Sequence, residues 1–523
     1  MESNSGLITR RSFLRFVAQG LTVGSLIAQG KEPVEQPNII FLLTDDQRAR
    51  TMSGVGHPVI RTPNLDRLTA SGIRFTNAFV TEPTCMPSRV TFLTGQYERV
   101  HGVGFSSGNS LTETQWSNTY PALLRENGYY TGFIGKFGVE RYAFRGNAQT
   151  KFDFWRGHDG WARFFAKTAG NCKIYSDSEE DIITPIMGES MERFLDSCPQ
   201  GKPFCLSVSF SAPHGSISGS MFPEEGGGDQ RMTRPAHKNP LIAEHPVYGS
   251  LYRNDSKVRI PAETATDPSP HLSKEVLPQE ERRKCYSYNY TKETCLEHHY
   301  RYYQLITGID RAVGRFLDEL KKRGLEKNTI IIYTSDHGLL MGEYGMGGKA
   351  LLYDLTTRVP FIIHDPRLPK SKQGMEIHEL VLSNDVAPTI LSYAGVPVPV
   401  TMQGRDLNEL IDKPNQSWRS EIFLENLYVG RHNPLIEAIR TKRWKYIRYF
   451  SNPGRSYQSE DVDFTGREPV FEQLFDLQHD PQEKQNLAHS PEHVETLSRL
   501  RERCQRHSSR VTVHRVKTTF MAH

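Results

Sequence analysis

The sequence predicts an α/β fold: a large, mostly parallel sheet sandwiched between helices, followed by a smaller C-terminal α+β part. Two observations carry this. From Pro37 onward, short apolar runs alternate with amphipathic stretches, the pattern of strands joined by crossover helices. Two of those runs, Asn38–Thr44 and Thr329–Ser335, are nearly continuous in apolar residues, as strands covered on both faces are. In such sheets the working residues gather beyond the carboxyl ends of the strands.

Taken in order, the elements place chemistry at those ends. Thr9-Arg10-Arg11-Ser12-Phe13-Leu14-Arg15 has a twin-arginine-like pattern ahead of an apolar stretch, Phe16 to Ala28, too short to span a bilayer. With small residues at Ala28 and Gly30, residues 1–30 read as an export signal, which implies a periplasmic or extracellular protein. No other segment is apolar enough to insert stably in a membrane. Lys and Arg number 64 against 60 Asp and Glu, a net +4 that gives no basis for a nucleic-acid partner but suits a mildly basic pocket for an anionic substrate.

The first strand stops at Asp45-Asp46. One aspartate at a turn is an ordinary Asx cap; two at a buried strand end repel unless a cation binds them, so metal ligation is the stronger reading. In Cys85-Met86-Pro87-Ser88-Arg89, the proline suits a first helical turn and Gly95 a C-cap. Cys85 is thereby placed just outside a helix N-terminus, where the dipole and Arg89 favour negative charge. Tyr129–Gly135 leads into Lys136, and Phe204–Phe210 leads through Ser211-Ala212-Pro213 to His214; each is a weak signal alone. A helix from about Tyr300 to Arg323, closed by Gly324, carries Tyr302, Leu305, Ile306, Ile309, Val313, Phe316, Leu317 and Leu320 as a core stripe. The second apolar strand ends in Asp336-His337-Gly338, and Lys349 follows the glycine-rich Gly345-Met346-Gly347-Gly348.

Between Gly215 and Cys295 the chain is polar and irregular and reads as an insertion shaping a pocket rim. Of the seven cysteines, those other than Cys85 read as structural, with Cys285 and Cys295 the nearest candidates to pair. Towards the C-terminus, Ala438–Tyr449 has a strand pattern and Val494–Arg506 that of a packed or solvated helix.

The run Cys85-Met86-Pro87-Ser88-Arg89 with Leu93-Thr94-Gly95 resembles the signature of the type I, formylglycine-dependent sulfatases. Thr62-Pro63-Asn64-Leu65-Asp66, Ala212-Pro213-His214, Asp336-His337-Gly338 and Gly348-Lys349 occur in that family's order. Gln403-Gly404-Arg405-Asp406-Leu407, Lys442-Arg443-Trp444-Lys445-Tyr446 and Leu474-Phe475-Asp476-Leu477 resemble its small C-terminal domain. The resemblance implies an alkaline phosphatase-like catalytic domain over residues 37–410 and a second domain over 411–515.

It also implies a division of labour. Cys85 would be oxidised by a formylglycine-generating enzyme, the maturation partner, and the aldehyde hydrate would be the nucleophile. Asp45, Asp46, Asp336 and His337, with the converted Cys85, would hold a divalent cation, calcium or alternatively magnesium or manganese. Arg89 would steady the hydrate. Lys136, His214 and Lys349 would contact the sulfate, His214 or Lys349 protonating the leaving alcohol. The expected substrate is a sulfated saccharide of polysaccharide or glycosaminoglycan type.

Two positions depart from the family pattern. Many members carry Asn or Gln where His337 stands, and an imidazole moves preference towards softer metals. Lys136-Phe137-Gly138 replaces a more usual Lys-Trp-His, and Gly138 has no proton to give. His337 keeps open a phosphonate monoester or phosphodiester hydrolase of the same superfamily. A silent glycan-binding relative is disfavoured by the intact signature.

Overall fold

Continuous apolar strands need two covered faces, and the computed structural model supplies both. It describes residues 36–521 except 140–146, 225–231, 233, 269, 274–275, 277–289, 415, 431–432, 453 and 455–461, with side chains as far as 511. The twin-arginine-like segment and Cys285 lie outside the described residues. The large sheet comprises β1 (Asn38–Thr44), β2 (Ile73–Phe79), β3 (Tyr130–Lys136), β4 (Phe154–His158), β5 (Phe204–Ser209), β6 (Thr329–Ser335), β7 (Phe361–His364) and β8 (Met375–Leu382). Their order is β8-β2-β7-β6-β1-β5-β3-β4, and β7 alone runs against its neighbours.

Side chains along β1 alternate between two cores. Ile39, Phe41 and Leu43 pack with Val90 and Phe92 of α2 (Cys85–Thr94), Tyr120 and Leu124 of α3 (Tyr120–Glu126) and Ile390 of α6 (Val386–Tyr393). Ile40 and Leu42 face Leu65 of α1 (Pro63–Ser71), Ile186 of α4 (Ile183–Ser197) and Ile309 and Val313 of α5 (Lys292–Lys322). The result is a three-layer α/β/α sandwich with β1 at its centre.

The helix predicted from about Tyr300 begins at Lys292, where the Thr291 hydroxyl accepts from the Thr294 N–H in a capping box. Its first turns bury His298, His299 and Arg301 rather than aliphatic residues, so no apolar stripe marks them. Asp310 on this helix holds α1 in place: its Oδ1 accepts from the backbone N–H groups of Asn64 (2.9 Å) and Leu65 (2.8 Å). Asp310→Ala is expected to leave both donors unpaired, that of Leu65 buried and that of Asn64 half-buried, and to cost about 2 kcal/mol of stability. The check is the denaturant midpoint; a midpoint equal to wild type would remove Asp310 from this role.

A smaller antiparallel sheet follows in chain order: β9 (Glu421–Asn426), β10 (Leu435–Thr441), β11 (Trp444–Phe450) and β12 (Phe471–Asp476). The strand pattern over Ala438–Tyr449 is thus a hairpin, turning at Lys442-Arg443. The final helix, α7 (Val494–Met521), covers the sheet with Leu497, Leu500 and Cys504. The same core includes Tyr97 and Leu351–Tyr353 from the large part. Buried charges join the two as well. Arg99, 1% exposed, donates to Glu425 and Glu437, and Lys445 donates to Asp354 (2.6 Å) and Glu483 (2.6 Å). Such pairs are costly to break singly, because the remaining charge stays buried.

Candidate active site

Parallel register brings the two acidic strand ends side by side. Thr44 pairs with Ser335 across β1 and β6, so Asp45 and Asp336 leave adjacent strands at one level. Asp46 turns the chain with φ 72°, its N–H donating to Asp336 Oδ1 (3.3 Å). Its carbonyl accepts the Tyr302 hydroxyl at 2.8 Å, and that hydroxyl also accepts from the Arg48 N–H at 2.9 Å. Tyr302 is therefore more than the core residue its helical spacing predicts: it fixes the turn that aims Asp46.

Helix α2 points its N-terminus at the same place. Cys85 is its first residue, not a residue outside it, with Thr84 as N-cap and Gly95 closing the helix in the left-handed conformation. Ser88 Oγ donates to the Asp336 carbonyl (2.6 Å). Arg89 is a hub. Its Nε and an Nη reach Asp336 Oδ2 at 3.0 and 2.8 Å, that Nη reaches Asp45 Oδ2 at 3.1 Å, and the other Nη donates to the Lys136 carbonyl (2.9 Å) and the Ser209 hydroxyl.

The remaining expected residues close round Cys85. Lys349 Nζ donates to Asp46 Oδ1 (2.8 Å) and to Cys85 Sγ (3.1 Å). His337 Nε2 is 3.3 Å from Cys85 Sγ, and its Nδ1 is 3.2 Å from Asp46 Oδ1. Lys136 Nζ donates to Asp45 Oδ2. His214 Nε2 is 3.8 Å from Asp46 Oδ2. All nine residues singled out in the sequence fall in one buried cluster, none more than 8% exposed.

The Sulfatase family matches residues 37–396, well over half of the chain. The chain belongs to the sulfatase family. The family part described as "N-sulphoglucosamine sulphohydrolase, C-terminal" matches residues 342–510, which contain the antiparallel sheet and the start of α7. An arylsulfatase of Clostridium perfringens is 28% identical, over 89% of this chain and 93% of its own. An N-acetylglucosamine-6-O-sulfatase of Bacteroides thetaiotaomicron is also 28% identical, over 92% and 88%. Among solved structures, a complex with D-glucosamine-2-N,6-O-disulfate superimposes with TM-score 0.65 at 24% identity, covering 91% of this chain and 98% of that one. A phosphonate monoester hydrolase of Agrobacterium radiobacter does so with TM-score 0.66 at 20% identity, over 91% and 96%. At those identities the two structures establish a shared fold alone. As a sulfatase, the protein is a sulfuric ester hydrolase.

Electrostatics in the sulfatase site follow from packing three carboxylates with three fixed cations. Burial opposes charge on Asp45, yet Lys136, His214, Arg89 and Lys349 outweigh it and hold the carboxyl well below its usual range. Asp46 is lowered too, against burial, chiefly by Lys349. Asp336 goes the other way, raised by burial and by the Asp45 charge. At residue 85 burial and Asp45 disfavour a thiolate, but Lys136, Lys349 and His337 bring the thiol well below its ordinary value. Burial alone would lower His337; the Asp336 carboxylate instead raises it to about 9.

This donor set fits a divalent cation. One atom each from Asp45, Cys85, Asp336 and His337 lie within 4.8 Å of one another, and Asp45, Asp46 and His214 form an overlapping group. Carboxylate oxygens suit a hard cation, and the imidazole beside them admits a softer one.

Three nearby residues escaped the sequence reading. Ser209 ends β5 and accepts from Arg89. His158 ends β4 opposite Lys136, is 3% exposed and lies 3.2 Å by Nε2 from the Ser211 hydroxyl. The rule that strand ends carry chemistry points to both, but neither stands in a recognisable motif. Ser88 lies inside the signature, where its bond to the Asp336 carbonyl cannot be read. Gly138, by contrast, has a steric reason: its φ is 61°, and a Cβ there would lie 3.0 Å from Arg89 Cδ.

Proposed function

We propose that this sulfatase removes sulfate from saccharide esters, with residue 85 acting as formylglycine. The observation that carries the reading is the position of Cys85. It starts a helix, touches Lys349 and His337, and faces the Asp45 and Asp336 carboxylates. Converted by a formylglycine-generating enzyme, residue 85 supplies a nucleophilic hydroxyl that a thiol cannot. Asp45, Asp46, Asp336 and His337 would hold a divalent cation, calcium first, which supplies positive charge at the reacting oxygens.

The chain's own groups do the rest. Arg89, locked by two carboxylates and the Lys136 carbonyl, is pre-organised against residue 85 and needs no rearrangement during reaction. Lys136 and Lys349 are buried cations at the site and would neutralise the sulfate oxygens. His214 Nδ1 accepts from the Ser216 N–H at 3.0 Å, which places the neutral ring's proton on Nε2. Nε2 is the nitrogen facing Asp46, so the neutral ring can donate its Nε2–H as a hydrogen bond to the negative charge developing on the leaving oxygen.

Saccharides are the favoured substrate class because relatives over most of the chain bear such names: the N-acetylglucosamine-6-O-sulfatase, and a Formosa agariphila "Ulvan-active sulfatase". Export through residues 1–30 suits polymeric substrates outside the cell. The test is a panel of defined sulfated saccharides read by released sulfate, run beside an aryl phosphodiester. Faster turnover of the phosphodiester would favour the phosphonate-type reading that His337 keeps open.

His214→Ala should lower kcat on a sugar sulfate by about 10²–10³-fold, the usual loss on removing one hydrogen-bond donor aimed at developing charge. On an aryl sulfate, whose phenolate leaves with little help, the loss should be much smaller. Equal losses on both would reassign His214 to sulfate binding.

A further inference from the structure

Trp161 stands out on the surface. Of the large hydrophobic side chains exposed among the described residues it is the only aromatic, at 65% exposure. It is also beside the catalytic cluster: the indole and the His214 imidazole have ring centroids 6.3 Å apart with planes 31° from parallel.

Its loop is built to hold it there. Asn171 Nδ2 donates to the carbonyls of Asp159 and Trp161, the latter at 3.1 Å, and Gly160 makes the turn with φ 65°. On the other side, Ala162, Phe164 and Phe165 are buried. Phe164 packs edge-on against Tyr248, with centroids 5.0 Å apart, and its N–H donates to Ser220 Oγ at 2.8 Å. Ser220 caps the short helix Gly215–Gly219, whose N-cap is His214. The Trp161 loop is thereby tied to the short helix that His214 begins, while the indole itself stays exposed.

Resting on the saccharide reading above, we propose that Trp161 is a specificity residue: a platform for the pyranose ring that carries the scissile sulfate. The geometry fits that occupant. The sulfate belongs with Lys136 and Lys349, and the leaving oxygen with His214 Nε2. The ring attached to that oxygen emerges on the His214 side, where the indole lies. A pyranose offers a C–H face to an aromatic plane, and an indole gives a large rigid contact with little entropy to lose. A charged or flexible side chain would offer neither.

The test compares wild type, Trp161→Ala and Trp161→Phe on the best saccharide sulfate from the panel, with inorganic sulfate as competing inhibitor. Trp161→Ala should raise KM for the saccharide about tenfold, with most of the change in KM rather than kcat. Trp161→Phe should recover most of that loss. The inhibition constant of inorganic sulfate, which has no ring, should stay the same. Unchanged KM in Trp161→Ala, or an equal weakening of inorganic sulfate, overturns the platform while leaving the saccharide reading intact. Failure of wild type to release sulfate from any saccharide overturns the substrate class and the platform with it.

Discussion

Cys85→Ala is expected to lower kcat by at least about 10⁴-fold, the scale on which enzymes lose activity with their nucleophile. The substitution removes one buried atom and leaves Arg89, Lys136, His214 and Lys349 in place, so a sulfated saccharide should still bind the inactive protein. Calorimetric titration of that variant with substrate, beside turnover of the wild type, separates the two effects. Conversion should also show as a mass change at residue 85 in the active protein and not in an inactive fraction. Activity of Cys85→Ala within tenfold of wild type would end the assignment. The geometry gives a reason for the size of the effect. His337 and Lys349 both reach the sulfur, at 3.3 and 3.1 Å, so the atom at this position is the one they are aimed at.

The parts of this site legible in the sequence are those fixed by local rules. β1 and β6 are apolar without alternation because both faces are buried, and their ends announce themselves through charged residues that a greasy strand would otherwise avoid. Gly95 signals its own cap. What stayed hidden depends on contacts distant in sequence. Arg89 reads as a charge near a helix start, yet its partners Asp45 and Asp336 come from two strands and its third contact from the end of β3. Tyr302 fits a helical stripe and also carries a hydroxyl that the stripe cannot explain. The start of α5 is masked because buried histidines and Arg301, paired with Glu297, replace the aliphatic residues that periodicity looks for. The β10–β11 hairpin turns at Lys442-Arg443, without the Gly or Asn that flags a two-residue turn. The place of His158 beside the site is equally silent, since a lone histidine has no pattern.

Removal of the divalent cation should be nearly as damaging as loss of the nucleophile. Asp45, Asp46 and Asp336 are each 0% exposed, and Asp45 belongs to two overlapping ligand groups, one with Asp336 and one with Asp46. Arg89 and the two lysines balance much of that charge, but they also have the sulfate to bind. A cation bound among the carboxylates would release Lys136 and Lys349 from Asp45 and Asp46 for the substrate. Chelation is therefore expected to lower activity on the order of 10³-fold, the effect of losing a major electrostatic stabiliser. It should also lower the melting temperature, since an ion that binds only the folded state stabilises it by mass action. Asp336→Asn should reproduce both changes and weaken the ion's affinity in direct titration. Adding back calcium, magnesium and manganese separately ranks them, and a lead for manganese would trace to the imidazole of His337. Chelated protein that analyses free of metal yet keeps its activity and melting temperature would show that the carboxylates serve only the buried arginine and lysines.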